Sequence, residues 1–356
     1  MASRGQTSSV VVAFAFAWST AHAAGDKHQP PQKLTDTGLY GHASARTIAA
    51  GLRPYSPQYP LWTDGASKLR WVSLPKGRPI DAKDGDAWRF PVGTRFWKEF
   101  SFSGRRVETR YIEKTGKATW IFATYVWDDQ QREATLAPAA AGLRDHVEIA
   151  PGVRHNIPSV SDCKACHEGA ERDAVLGFGA LQLSPDRDPL APHAEPQPEG
   201  AIDLEDLLKE NLLRNAPPSW RTNPPIIAAA NPRARAVLGY LHANCSHCHN
   251  DRDPVSSVGL SLRASFGAAS GADQPTLRTA VGVSSKFQMR GISPDHCLRL
   301  APGDIDHSVV LVRMRSRDGL SQMPPLGSKL VDTAALELIS DWVRDGLQSA
   351  NLAKGQ

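Results

Sequence analysis

Apolar positions recur at helical spacing in three places along the chain. Asn231 can cap a helix and Pro232 suits its first turn, and Ala234, Val237, Leu238 and Leu241 follow on one face. That helix runs directly into Cys245. Asp332 precedes Leu336, Ile339, Trp342 and Val343, and Asp203 precedes Leu204, Leu207, Leu208 and Leu212, two further capped amphipathic helices. Residues 55–137 show a different pattern. Leu69 to Val72, Thr94 to Phe102 and Trp120 to Trp127 are rich in β-branched and aromatic residues. Gly and Pro punctuate them at Pro75, Gly77, Pro91, Gly93, Gly104 and Gly116. Both faces of Trp120 to Trp127 are largely apolar, which predicts a strand covered on two sides. No amphipathic helix precedes Cys163, and Pro151 to Ser161 reads as irregular.

The cysteines change this picture from architecture to chemistry. Four of the five stand in two C-x-x-C-H stretches, Cys163-Lys164-Ala165-Cys166-His167 and Cys245-Ser246-His247-Cys248-His249. This is the attachment signature of a c-type haem. Two thiols at that spacing can each form a thioether to one haem vinyl group, and the following His is held where its imidazole can bind iron. A four-cysteine zinc ribbon would place its pairs about 15–20 residues apart, whereas here residues 167–244 intervene. The expected cofactors are therefore two covalent haem c groups, on Cys163 and Cys166 and on Cys245 and Cys248, with His167 and His249 as iron ligands. Cys297 remains over, as a small buried apolar residue or a reactive thiol.

The second haem needs a distal ligand from downstream. Met323, in Gln322-Met323-Pro324-Pro325, lies just before the last helix, and the prolines stiffen its loop. Met289 and Met314 are the alternatives. For the first haem the candidates are His155, His193, His242, His296, His307, a Met from elsewhere, or an open sixth position that could bind small ligands. His247 reads as a surface or packing residue. Asp64, Glu99, Glu108, Glu113, Asp128 and Asp129 read as a charged sheet face rather than a site.

The N-terminus joins Arg4, an apolar run from Val10 to Trp18 and the small-x-small Ala21-His22-Ala23. This predicts a signal peptide over residues 1–24 and export to the periplasm, where covalent haem belongs. No later stretch reaches the ~20 apolar residues of a membrane helix, so a soluble mature protein is expected. A net charge of +4 without clustered basic residues is no nucleic-acid footprint. The expected fold class is α+β and multidomain: an N-terminal β-sandwich-like domain over 50–150, a first haem region with a proline-rich linker over 151–224, and a cytochrome c-like domain over 225–350, the haem regions mostly α-helical.

Segments 56–77, 88–102, 159–169, 238–250 and 322–343 resemble a bacterial family of periplasmic two-haem c-type cytochromes with an aromatic-rich β region ahead of the first motif. The resemblance covers most of the mature chain. It implies haem binding and electron transfer to and from redox partner proteins, with Met323 in the family's distal-ligand segment. Two other readings stay open: a haem-containing oxidoreductase, dehydrogenase or peroxidase-like, whose β domain binds a substrate or metal, and a cytochrome whose β domain is a docking module.

Overall fold

A computed structural model of the chain describes residues 29–41, 47–85, 87–168, 173, 175–252 and 255–347. The expected signal peptide over 1–24 lies outside the described residues. In chain order the strands are β1 (Arg53–Pro54), β2 (Ser67–Ser73), β3 (Ile80–Asp81), β4 (Arg95–Phe102), β5 (Arg105–Lys114), β6 (Trp120–Trp127), β7 (Ala134–Leu136), β8 (Leu143–Ala150), β9 (Val153–Ile157) and β10 (Leu213–Arg214). The helices are α1 (Val160–His167), α2 (Leu204–Lys209), α3 (Pro232–Cys245), α4 (Pro275–Ala280), α5 (Val309–Arg315) and α6 (Thr333–Asp341).

One antiparallel sheet of six strands, in the order β1-β2-β4-β5-β6-β7, dominates the first half. Cross-strand rows show how the alternation was used. Trp71, Trp97, Tyr111 and Ala123 form one row, buried against Leu34, Leu39 and Tyr40. The Trp97 indole N–H donates to Thr37 Oγ1 at 2.9 Å, and truncating such a ring to alanine costs about 3–5 kcal/mol. Val72, Phe96, Ile112 and Phe122 form a row on the opposite face. Most of that row is covered by Tyr55, Phe178, Leu183 and the Leu204, Leu207 and Leu208 face of α2, while α1 packs on β6.

These facts correct the expected fold class. The β region is one six-stranded sheet with two short two-stranded ladders, β3–β10 and β8–β9, and its second layer is made of loops, short helices and the β8–β9 hairpin, so it is not a sandwich. Nor are the haem regions mostly α-helical: the described part of 151–347 holds six short α-helices, the longest being α3, joined by turns and irregular backbone. The expectation of irregular chain before Cys163 also fails, because β8 and β9 form a hairpin there. The apolar alternation of a buried strand is the same whatever covers it, and Leu-rich windows do not reveal that a helix stops after two turns.

The three capped helices start where their patterns place them, although α2 ends before Leu212 and α6 before Trp342. The side chains of Asn231, Asp203 and Asp332 accept from the backbone N–H groups of Ala234, Asp206 and Ala335. α3 packs on α6 around Val237, Tyr240, Leu241, Ile339, Trp342 and Val343, with Leu311 and Met314 of α5 completing the core. The loop-rich middle is held by buried polar anchors instead of regular ladders. The Arg299 guanidinium donates to the carbonyls of Val258, Gly259 and Thr279 at 2.6–2.7 Å. Gly239 sits inside α3 because the Tyr59 ring lies on it: a Cβ there would come within 2.0 Å of a ring carbon. Together with the Trp62 N–H donating to Asn244 Oδ1 at 2.8 Å, this fixes the 55–64 loop to α3 just upstream of Cys245.

Candidate functional site

The first C-x-x-C-H lies inside α1. Ser159 starts that helix through a capping box with Asp162. This short helix lies on β6, so Cys163 faces the Thr124 hydroxyl and the His167 ring stands 5.7 Å from the Phe122 ring, tilted by 52°. The second motif closes α3. The N–H groups of Cys248 and His249 return to the Cys245 carbonyl at 3.2 and 2.8 Å, and the Leu262 N–H donates to the His249 carbonyl at 2.9 Å.

The fold brings the two motifs together. The thiols of Cys166 and Cys248 meet within hydrogen-bonding contact. Hydrogen bonds from Cys166 and His247 drive Cys248 toward the thiolate, while the same contact and burial keep the proton on Cys166. Burial raises the Cys163 thiol, and pushes Cys245 up to about 12. All four cysteines are free and half-buried. His249 is half-buried, its Nδ1 is buried without a hydrogen-bond partner, and burial lowers its proton affinity. Four thiols in two pairs, with the His249 imidazole after one pair and the His167 imidazole after the other, are the donor set that two covalent haems require, so these residues fit the group.

Met323 shares a neighbour with His249. Its N–H donates to the Arg313 carbonyl at 2.9 Å, and the Arg313 guanidinium donates through Nε to the Ser321 carbonyl at 2.9 Å and acts electrostatically on His249. Met314 is instead buried in the α3–α5–α6 core. The Met289 N–H donates to Cys297 Sγ at 3.4 Å; Cys297 itself is fully buried.

The candidate histidines for the first haem scatter. His193 Nε2 contacts Asp332 at 2.9 Å, His242 Nδ1 accepts from the Ala264 N–H at 3.2 Å, and His307 contacts Asp304 at 2.6 Å with His296 beside it. His155 is the one tied to the first motif's surroundings. Its Nε2 lies 3.2 Å from Glu108 Oε1, and Glu108 also pairs with Arg110 at 2.6 Å. Burial works to raise the Glu108 carboxyl, but Arg110 and His155 outweigh it and hold it below its ordinary value.

The six acidic residues do not converge. Asp64 accepts from the N–H groups of Lys329 and Leu330 at 2.8 Å, Asp128 caps its own turn, and Glu108 and Glu99 lie on opposite faces of the sheet. Glu99 is pushed up to about 7 by burial, with Arg106 only partly opposing. The folded chain therefore keeps a proton that the unfolded chain has already released, and stability falls as pH rises from about 4.5 to about 7. Glu99→Gln is expected to flatten that slope and to gain about 3 kcal/mol at pH 8. Melting curves from pH 5 to 8 check this; an unaltered pH trend in the variant would count against it.

Compared with protein-family models, with curated proteins and with solved structures, the chain finds no match. Among the described residues no helix is long and apolar enough to cross a membrane.

Proposed function

We propose that this chain is an exported two-haem c-type cytochrome that carries electrons between redox partner proteins in the periplasm, a member of the two-haem family its segments resemble. The observation that supports it most is the convergence of two C-x-x-C-H motifs, remote in sequence, at the Cys166–Cys248 contact. Cys163 and Cys166 would hold one haem c and Cys245 and Cys248 the other, with His167 and His249 as iron ligands and Met323 as the distal ligand of the second. Bound haem supplies reversible one-electron exchange between ferric and ferrous iron. The chain's own part is to set the two attachment points side by side, as a two-centre carrier needs. The α3–α6 core fixes one point and the sheet fixes the other. Leu262 and Arg313 orient the backbone around His249 and Met323.

Mass spectrometry of the mature chain from a host that matures cytochromes tests the reading. The expected mass is that of the processed polypeptide plus two haems, with two resolved potentials in a redox titration. The apoprotein mass alone would end it. Stoichiometric binding of carbon monoxide or cyanide to one centre would move the reading from carrier to oxidoreductase.

A further inference from the structure

One row of the sheet breaks the rules of a buried face. Arg70, Lys98 and Arg110 stand directly opposite one another on β2, β4 and β5, and like charges so placed are destabilising. Lys68 lies two residues from Arg70 on the same face. Arg70 is satisfied by Glu195, one contact at 3.4 Å and another shorter, and Arg110 by Glu108. Lys98 has no carboxylate within ion-pair distance among the described residues; its Nζ lies 4.9 Å from the Phe100 ring centre. Burial, and then Arg70, Lys68 and Arg110, press its ammonium toward the neutral form.

The row is also partly open to solvent. Phe96 on one side of it is 4 % exposed and Phe100 on the other is fully buried, yet the Arg110 side chain keeps 26 % exposure in the middle of the sheet and Lys98 is only half-buried. The next position across from Arg110 is Thr124, whose buried hydroxyl faces the Cys163 thiol. From Thr124 to Lys98 is two strand spacings, about 10 Å. That is comparable with the span from the vinyl edge of a porphyrin to its propionate edge.

We propose that Lys98 and Arg110 form a carboxylate-binding site that takes the propionates of the haem attached at Cys163 and Cys166. This assigns the β region a part in holding the cofactor, and it rests on the two-haem reading above. A carboxylate at Lys98 relieves the like-charge row and returns a counter-ion to the one amine that lacks it. The same chemistry would accept a free carboxylate, so the test separates the two sources.

The test uses the holoprotein with Lys98→Met and Lys98→Arg. In Lys98→Met the propionate-bending band of one haem in the resonance Raman spectrum is expected to shift, and the midpoint potential of that haem to fall, because a positive charge near iron favours the reduced form. Lys98→Arg restores both. If the methionine variant does not accumulate, Lys98→Gln serves in its place. A propionate band unchanged in a variant that carries both haems by mass overturns the proposal and leaves the haem reading standing. An apoprotein mass in the parent overturns the haem reading, and this proposal with it. Titrating the parent with succinate is expected to leave its spectrum unaltered; a saturable change would give the site to a free carboxylate and overturn the propionate assignment.

Discussion

Replacing Cys245 and Cys248 together with serine is expected to remove one haem's mass from the mature chain and to halve its haem absorbance per polypeptide. Serine keeps the size and much of the polarity of cysteine but cannot form the thioether. His249 and Met323 would remain, but axial ligation alone is non-covalent, so that haem no longer adds to the mass of the denatured chain and is readily lost. The chain around the motif should still fold, because α3 is capped by Asn231 and its core is made by Val237, Tyr240 and Leu241, with Cys245 only half-buried at its edge. Serines at Cys163 and Cys166 are expected to remove the other haem, since α1 is carried by its packing on β6. Intact mass and absorbance measure both outcomes. Two haems retained by either double variant would remove that motif from the proposal.

Met323→Ala is expected to lower one of two midpoint potentials and leave the other in place. The Met323 backbone N–H is what Arg313 holds, at 2.9 Å, so truncation leaves the loop anchored and takes away only the thioether. Methionine ligation favours ferrous iron relative to imidazole or water. Its loss should cost on the order of 0.1 V, a modest share of the ~0.8 V that axial ligation commands. The long-wavelength absorption of thioether-bound ferric iron should vanish with it. Met314→Leu is the control: that side chain fills the α3–α5–α6 core, so it should change stability and not potential. Equal potentials in Met323→Ala and the parent would eliminate Met323 as a ligand.

What could be read along the chain is what local chemistry decides. A C-x-x-C-H works through neighbours within five residues, and an Asn or Asp caps a helix through its own next turn, so the haem motifs and the starts of α2, α3 and α6 were visible without a fold. Enrichment in β-branched and aromatic residues marked β2, β4 and β6 as strands for the same reason. Length of helix was less legible: Leu212 lies past the end of α2 at Lys209, and beyond Asp341 the winding of the last helix changes while Trp342 and Val343 stay in the core.

The second layer over the sheet was not legible, since an apolar strand face looks alike under another sheet or under Phe178, Leu183 and α2. Strand register was equally hidden. Arg70, Lys98 and Arg110 are unremarkable apart, and only antiparallel pairing sets them opposite one another beside Thr124 and Cys163. The sequence by itself determined which residues stand at C-x-x-C-H spacing and so which are proposed to hold haem, because that spacing depends on side chains close together in the chain. The tertiary structure alone decided that Cys166 meets Cys248 and that Arg110, one of a row of cations, lies beside the first motif. Those contacts join distant segments, and they depend on how the α3–α6 core and the six-stranded sheet pack against each other.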